Sequence, residues 1–110
     1  IGARHGLDSA VMNDVLNAST GGSWVTRNHV AQRVLSGRFD DPFRLELMVK
    51  DIGIALSLAR DADLPLPASA LGDELWRAAL EAFGAGGNVS DLFRWVEQRT
   101  RTRIAPRAAG

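Results

Sequence analysis

The sequence predicts an all-α fold, a bundle of about five helices around one long central helix. Apolar residues recur three and four positions apart through most of the chain, which is the spacing that gives a helix one apolar face. No long stretch keeps the alternation of apolar and polar residues that indicates a half-buried strand. At 110 residues, 45% of them hydrophobic, the chain can form one core of its own.

Turn and cap residues divide the first part of the chain into short helices. Residues 1–5, followed by Gly6, predict the last turn of a helix, because glycine adopts the left-handed backbone of a helix C-cap without strain. Asp8 is a suitable N-cap for a helix over residues 9–17. A glycine-rich stretch then breaks the pattern, and a second short helix that ends at Gly37 follows.

The second part of the chain predicts longer helices. A helix over residues 43–62 is the longest, about 30 Å for a rise of ~1.5 Å per residue. A proline-rich connector leads to a helix over residues 67–83, since proline suits the first turn of a helix. Ser90 is the predicted N-cap of a last helix over residues 91–98.

Charge and composition exclude several classes of function. Thirteen basic and thirteen acidic side chains cancel, so the chain lacks the basic excess of a general nucleic-acid or membrane-surface binder. It contains no cysteine and two histidines, which excludes thiolate chemistry and disfavours a metal site. No apolar run approaches the ~20 residues that cross a bilayer. We therefore expect no nucleic acid, no metal and no membrane among its partners.

Two charged residues stand out in the middle of the longest predicted helix. Apolar residues occupy a wide arc of that helix, which predicts that it is packed on most of its circumference. Asp51 projects inside this apolar arc, where a carboxylate needs a partner or access to water. On spacing alone, a structural role accounts for it, either as the cap of a neighbouring helix or in an ion pair with Arg44 or another arginine. Lys50, the only lysine, lies beside it and can pair with Glu46 four residues earlier. A compact ammonium is also what a binding site uses to hold a phosphate, a hydroxyl or a carboxylate.

Five motifs follow one another along the chain. Residues 43–56 read F-x-L-x-L-M-x-K-D-x-x-x-A-L, and upstream of them residues 6–8 read G-L-D and residues 15–23 read V-L-N-x-S-x-G-x-S. Downstream come a Leu-Pro-Leu-Pro connector and a Glu-Leu-Trp motif in the next helix. In this order and spacing, from Leu7 to Val96, the chain resembles the β-hydroxyacid dehydrogenases, the family of 3-hydroxyisobutyrate dehydrogenase.

The resemblance implies the all-helical C-terminal domain of such an enzyme, a domain similar to that of 6-phosphogluconate dehydrogenase. Residues 1–7 would be the end of a truncated interdomain helix, residues 8–98 the domain, and residues 99–110 a basic tail without a family counterpart. A start at Ile1 in the middle of a helical pattern is what we expect of a piece of a longer protein. The family's Rossmann domain and catalytic lysine would precede this piece. The resemblance therefore assigns no catalytic residue to this chain and implies that it is inactive alone.

The resemblance assigns binding roles to three residues. Lys50 would contact the nicotinamide side of NAD or NADP, and Phe43 and Asp51 would line the substrate pocket. The implied reaction is hydride transfer between NAD(P) and a small 3-hydroxy acid or semialdehyde, in a cytoplasmic homo-oligomer. Gly53 departs from the family pattern, in which a bulkier apolar residue is usual.

Two other functions remain open on the sequence. A non-enzymatic helical interaction or dimerisation domain would place its tryptophans against a partner helix. A helix-turn-helix DNA reader would have the helices it needs, but the zero net charge weighs against it.

Overall fold

The computed structural model describes residues 1–104, and within them every regular element is helical. In chain order the elements are a 3₁₀ helix at Gly2–His5, α1 at Ser9–Asn17, a π-helical segment at Val25–Leu35, α2 at Leu45–Asp61, α3 at Pro67–Phe83 and α4 at Asp91–Thr100. The all-α prediction is confirmed. The expected left-handed residue Gly6 has φ 86°, and the Asp8 carboxylate caps α1 by accepting a hydrogen bond from the Val11 N–H at 2.9 Å.

Three element boundaries and lengths differ from the prediction. The predicted long helix begins at Leu45 instead of Phe43, because Arg44 has an extended backbone with φ −74° and ψ 141°. It has 17 residues, the same length as α3, so length does not single it out. The last helix continues through Thr100 and so includes the first residues of the predicted tail. Residues 105–110 of that tail lie outside the described residues.

Contacts group the chain into two compact units. One consists of Ile1–Asp40 together with residues 93–104, and the other of Asp41–Leu92. The sequence-based division at residues 7 and 98 stays a prediction.

A polar network joins α1 to the π-helical segment in the first unit. The side-chain amide of Asn13, which is 6% exposed, donates to the Thr26 carbonyl at 2.9 Å. Asn17 donates to the same carbonyl at 3.3 Å and accepts from the Thr26 hydroxyl at 2.7 Å. The Ser23 hydroxyl accepts from the Thr26 N–H at 3.1 Å. Asn17 and Ser23 belong to the V-L-N-x-S-x-G-x-S motif, so part of that motif serves to connect two helices.

The π-helical segment has a wider turn than the α-helix that the spacing predicts. Its backbone repeat is longer than 3.6 residues, so side chains at α-helical spacing do not share one face. Val34 is fully buried, whereas Trp24 and Val25 at the start of the segment are exposed. A projection at the α-helical period therefore could not identify its buried side.

Helices α2 and α3 pack against each other in the second unit. Leu45 and Val49 of α2 and Ala79 of α3 are buried. The predicted burial of α2 around most of its circumference is wrong, because Ile54 and Leu58 are both more than half exposed. That part of its apolar arc has no covering partner among residues 1–104.

Candidate functional site

Lys50 and Asp51 form an ion pair on the surface of α2. The Lys50 ammonium lies 2.9 Å from the Asp51 carboxylate, and the two side chains are 58% and 53% exposed. Such an exposed pair contributes only about 0–1 kcal/mol to stability, since water screens it and two long side chains lose freedom. Its two charged groups are therefore available to other partners at small cost.

The structural alternatives for these two residues are wrong in detail. Arg44 pairs with Glu46 at 2.9 Å, and Lys50 pairs with Asp51. The expected pairs Arg44–Asp51 and Glu46–Lys50 therefore do not form. Asp51 lies within the apolar arc as projected, but the neighbouring Leu58 is itself exposed, so the carboxylate faces water and needs no buried partner.

Phe43 lies in the extended segment immediately before α2. The Asp41 carboxylate accepts a hydrogen bond from the Phe43 N–H at 2.8 Å, and the Phe43 carbonyl accepts one from Val89 at 3.0 Å. The next residue but one, Leu45, donates its N–H to the Gly87 carbonyl at 3.0 Å. These bonds hold the backbone of Phe43, and the residue as a whole is 37% exposed.

The structure thus brings two of the three predicted site residues into contact. No hydrogen bond or ion pair within the described chain joins Phe43 to Lys50 or Asp51. All three side chains are nevertheless at least partly exposed to solvent. Their backbones are fixed by α2 or by the segment that precedes it.

The three groups fit a nicotinamide cofactor and a hydroxy acid chemically. An ammonium has three N–H donors, and one partner carboxylate leaves donors for a phosphate, a ribose hydroxyl or an amide carbonyl. A carboxylate accepts from a substrate hydroxyl, and an aromatic ring supplies an apolar surface.

The sequence reasoning missed the loop that positions Phe43. Asp91, which is buried, accepts from the Asn88 N–H at 2.9 Å, and the Asn88 side-chain oxygen accepts from the Ser90 N–H at 2.9 Å. The prediction that the Ser90 side chain caps the last helix is wrong, since its fully buried hydroxyl has no hydrogen-bond partner. Asn and Asp three residues apart behind a glycine cluster were the available signal, because both residue types build turns of this kind.

An apolar cleft of about 250 Å³ lies between α2 and α3. Its lining includes Ile52 and Leu56 on α2 and Trp76 on α3. Trp76 belongs to the Glu-Leu-Trp motif, and its half-buried place against α2 gives that motif a packing role. None of the three predicted site residues lines this cleft.

Residues 1–104 contain neither a metal-binding cluster nor a helix that could span a membrane. Across them, no group of three or more metal-ligating side chains comes together. None of the helices found there has the length and apolar character needed to cross a membrane.

Residues 1–96 match the family described as the NAD-binding domain of NADP-dependent 3-hydroxyisobutyrate dehydrogenase. An L-threonate dehydrogenase from Cupriavidus necator is 36% identical over 79% of this chain and 29% of its own length. A 3-hydroxyisobutyrate dehydrogenase from Pseudomonas aeruginosa is 31% identical over 74% of this chain and 30% of its own length.

A solved structure agrees with these relatives. The 3-hydroxyisobutyrate dehydrogenase from Salmonella typhimurium superimposes with a TM-score of 0.77 at 26% identity, over 86% of this chain and 33% of that one. The chain thus spans about a third of the length of the proteins it matches. It belongs to the family of NAD-binding domains of the 3-hydroxyisobutyrate dehydrogenases, as the resemblance of its motifs predicted.

Proposed function

We propose that this chain is the C-terminal helical domain of an NAD(P)-dependent oxidoreductase that transfers a hydride between nicotinamide and a small 3-hydroxy acid or semialdehyde. The observation that carries the proposal is the family match over residues 1–96, which includes the exposed Lys50–Asp51 pair within its F-x-L-x-L-M-x-K-D motif. The relatives named as L-threonate and 3-hydroxyisobutyrate dehydrogenases support a hydroxy acid as the substrate class.

In this proposal the three residues bind and orient the reactants. Lys50 donates hydrogen bonds to the nicotinamide side of the cofactor, where its charge favours a phosphate, a ribose hydroxyl or the carboxamide. Asp51 orients the ammonium and accepts from the substrate hydroxyl. Phe43 contributes an apolar wall that limits water around the reacting carbon. Bound NAD(P) supplies the hydride acceptor or donor.

Proton transfer belongs to the rest of the full-length protein. In our proposal an N-terminal Rossmann domain binds most of the cofactor, and the lysine that acts as general acid and base lies outside these 110 residues. The isolated chain is then inactive. Reduction of a semialdehyde by the isolated chain with NADH, above the rate of a denatured sample, would contradict this division of roles.

Exposed apolar side chains support further contacts in the full-length protein, which we propose to be a homo-oligomer. We place that protein in the cytoplasm. More than half of the surface of Leu58 on α2 and of Leu71 on α3 is exposed, and so is that of Val11 and Val15 on α1. Faces of this kind usually lie against another subunit or domain. They equally favour the second candidate, a non-enzymatic interaction domain, and Trp24, at 70% exposure, favours it further.

A chimera separates the two candidates. Residues 1–96 of this chain replace the C-terminal segment of the Cupriavidus necator L-threonate dehydrogenase, which is 36% identical over 79% of this chain. The enzyme function predicts NAD(P)-dependent oxidation of a hydroxy acid by the folded chimera. A chimera with the helical content and assembly state of the parent enzyme but without activity or cofactor binding would favour the interaction domain.

A further inference from the structure

An open cleft of about 640 Å³ in the first unit collects arginines from two separate segments. Arg38 comes from the turn after the π-helical segment, and Arg94, Arg101 and Arg103 come from α4 and the chain beyond it. One acidic side chain, Glu97, is part of the same lining. Because the whole chain has zero formal charge, this excess of positive charge is a local feature.

The backbone fixes the turn that carries Arg38. Gly37 and Phe39, which flank it, have left-handed φ values of 74° and 49°. The Arg38 guanidinium lies 3.2 Å from the Asp40 carboxylate, and the guanidinium of Arg94 lies 5.7 Å above the Phe39 ring. Cation–π contact and ion pair both favour one arrangement of these long side chains.

The chain after α4 is also held in place. Arg101 has a left-handed φ of 50°, and the Thr102 N–H donates to the Glu97 carbonyl at 3.2 Å, as in a Schellman motif. The Glu97 carboxylate accepts a hydrogen bond from the Ile104 N–H. Within residues 1–104, no ion pair engages Arg101 or Arg103.

Two of the three described non-glycine residues with positive φ, Phe39 and Arg101, line this one cleft. Such backbone conformations are strained for residues other than glycine and are enriched at functional sites. A purely structural account explains Arg101, because a cation at the C-terminal end of a helix is favourable. It does not explain Arg38 or Arg103, which lie outside any helix.

Arg38, one of the arginines that line the cleft, already binds an anionic group of the chain itself. The Asp40 carboxylate accepts from Arg33 at 2.9 Å and lies 3.2 Å from Arg38. The Arg33 guanidinium beside Asp40 lowers the pKa of that carboxyl, and Arg38 acts in the same direction. Guanidinium groups match carboxylate and phosphate oxygens with paired N–H donors, so neighbouring arginines suit a ligand with several such oxygens.

We propose that this cleft binds a small polyanion, a metabolite with at least two phosphate or carboxylate groups, through Arg101 and Arg103. Its volume lies in the range of small-molecule sites, so it can take more than a single inorganic ion. All residues that line the cleft belong to the first unit, whereas Lys50 belongs to the second. It gives a function to Arg101 and Arg103, which belong to the basic tail without a family counterpart.

The test is a calorimetric titration of the 110-residue chain with pyrophosphate and with citrate. The double variant R101Q/R103Q should weaken binding of the preferred anion at least about tenfold, because each guanidinium supplies charge-assisted hydrogen bonds. The control R27Q/R60Q removes the same charge outside the cleft lining and should change the affinity less than about twofold. If R101Q/R103Q does not fold, the single variants R101Q and R103Q replace it, and each should weaken binding by a smaller factor.

The ranking of pyrophosphate against citrate distinguishes a phosphate from a carboxylate ligand, and binding of either one that is lost in R101Q/R103Q supports the proposal. No saturable binding of either anion at millimolar concentration would overturn it. So would equal weakening by the control, which would indicate general charge attraction. Binding of heparin or an oligonucleotide alone would overturn it in favour of an extended polyanion surface.

Discussion

Replacing Asn13 by Asp should destabilise the first unit out of proportion to the size of the change. The side-chain amide of Asn13 donates to the Thr26 carbonyl at 2.9 Å from a position that is 6% exposed. Aspartate has the same shape, but its carboxylate has no hydrogen to donate, so two oxygen acceptors would face each other.

The magnitude follows from two contributions. The lost hydrogen bond costs about 0.5–1.5 kcal/mol, and a buried acceptor left without its donor adds about 1–3 kcal/mol. Asn17 still donates to the Thr26 carbonyl at 3.3 Å and reduces this second contribution. We therefore expect a loss of about 2–3 kcal/mol at pH 7. With an m-value of about 1.5 kcal/mol/M, the midpoint of urea unfolding falls by about 1–2 M.

The pH dependence of N13D identifies the cause. Burial against a carbonyl should raise the pKa of the new carboxyl in the folded state above its unfolded value, and the protonated form can donate to Thr26 again. The loss should therefore be smallest below the unfolded pKa and grow as the pH rises through the raised folded pKa. Asn28, whose amide donates to the Trp24 carbonyl near the start of its own helix, gives the control N28D, with an expected change below about 1 kcal/mol. Equal losses in the two variants, or a loss in N13D that does not vary with pH, would refute the reasoning.

Three further predictions concern glycine packing, an unpaired hydroxyl and an acidic side chain. In urea unfolding, Gly87→Ala should lower the free energy of unfolding by about 1–3 kcal/mol, because its new methyl group would lie 3.0 Å from a neighbouring carbon atom. Gly72→Ala in α3 is the control, since its methyl group meets no atom. It should raise the free energy of unfolding by about 0.5–1 kcal/mol. Ser90→Ala should raise it by about 1 kcal/mol, since it removes a buried hydroxyl without a partner; a loss of 1 kcal/mol in the same assay would show that the hydroxyl is satisfied. The pKa of Asp40, followed by NMR, should lie below 3.8 because of the Arg33 guanidinium beside it. The contribution of this ion pair to folding stability is therefore complete above that pH and lost as the pH falls through the lowered pKa. An unchanged Asp40 pKa in R33Q would contradict this.

Local signals in the sequence were sufficient to predict the ends of those helices that depend only on neighbouring residues. Asp8 caps α1 through a residue three positions away, and Gly6 ends the 3₁₀ helix by its own backbone preference. The start of α2 depends instead on the pairing of Arg44 with Asn88, 44 residues later, which no local pattern indicates. The predicted helix was therefore two residues too long at this end.

The sequence was sufficient to predict that Lys50 and Asp51 lie together, but not whether their surroundings are buried or exposed. Lys50 and Asp51 are adjacent in sequence, and the structure brings their charged groups into contact. Whether Asp51 is buried depends on which elements cover the apolar arc of α2, and periodicity does not contain that information. The exposed Leu58 beside it shows that an apolar helix face can remain uncovered among the described residues.

The claim that Lys50 and Asp51 face a cofactor and a substrate is tested most directly by steady-state kinetics of the chimeric L-threonate dehydrogenase. K50Q should raise the KM for NAD(P) about tenfold, since it removes a charge-assisted hydrogen bond, and D51N should raise the KM for the hydroxy acid. R60Q, which removes another exposed charge from the same helix, should change neither constant. An unchanged cofactor KM in a folded, active K50Q chimera would contradict the account.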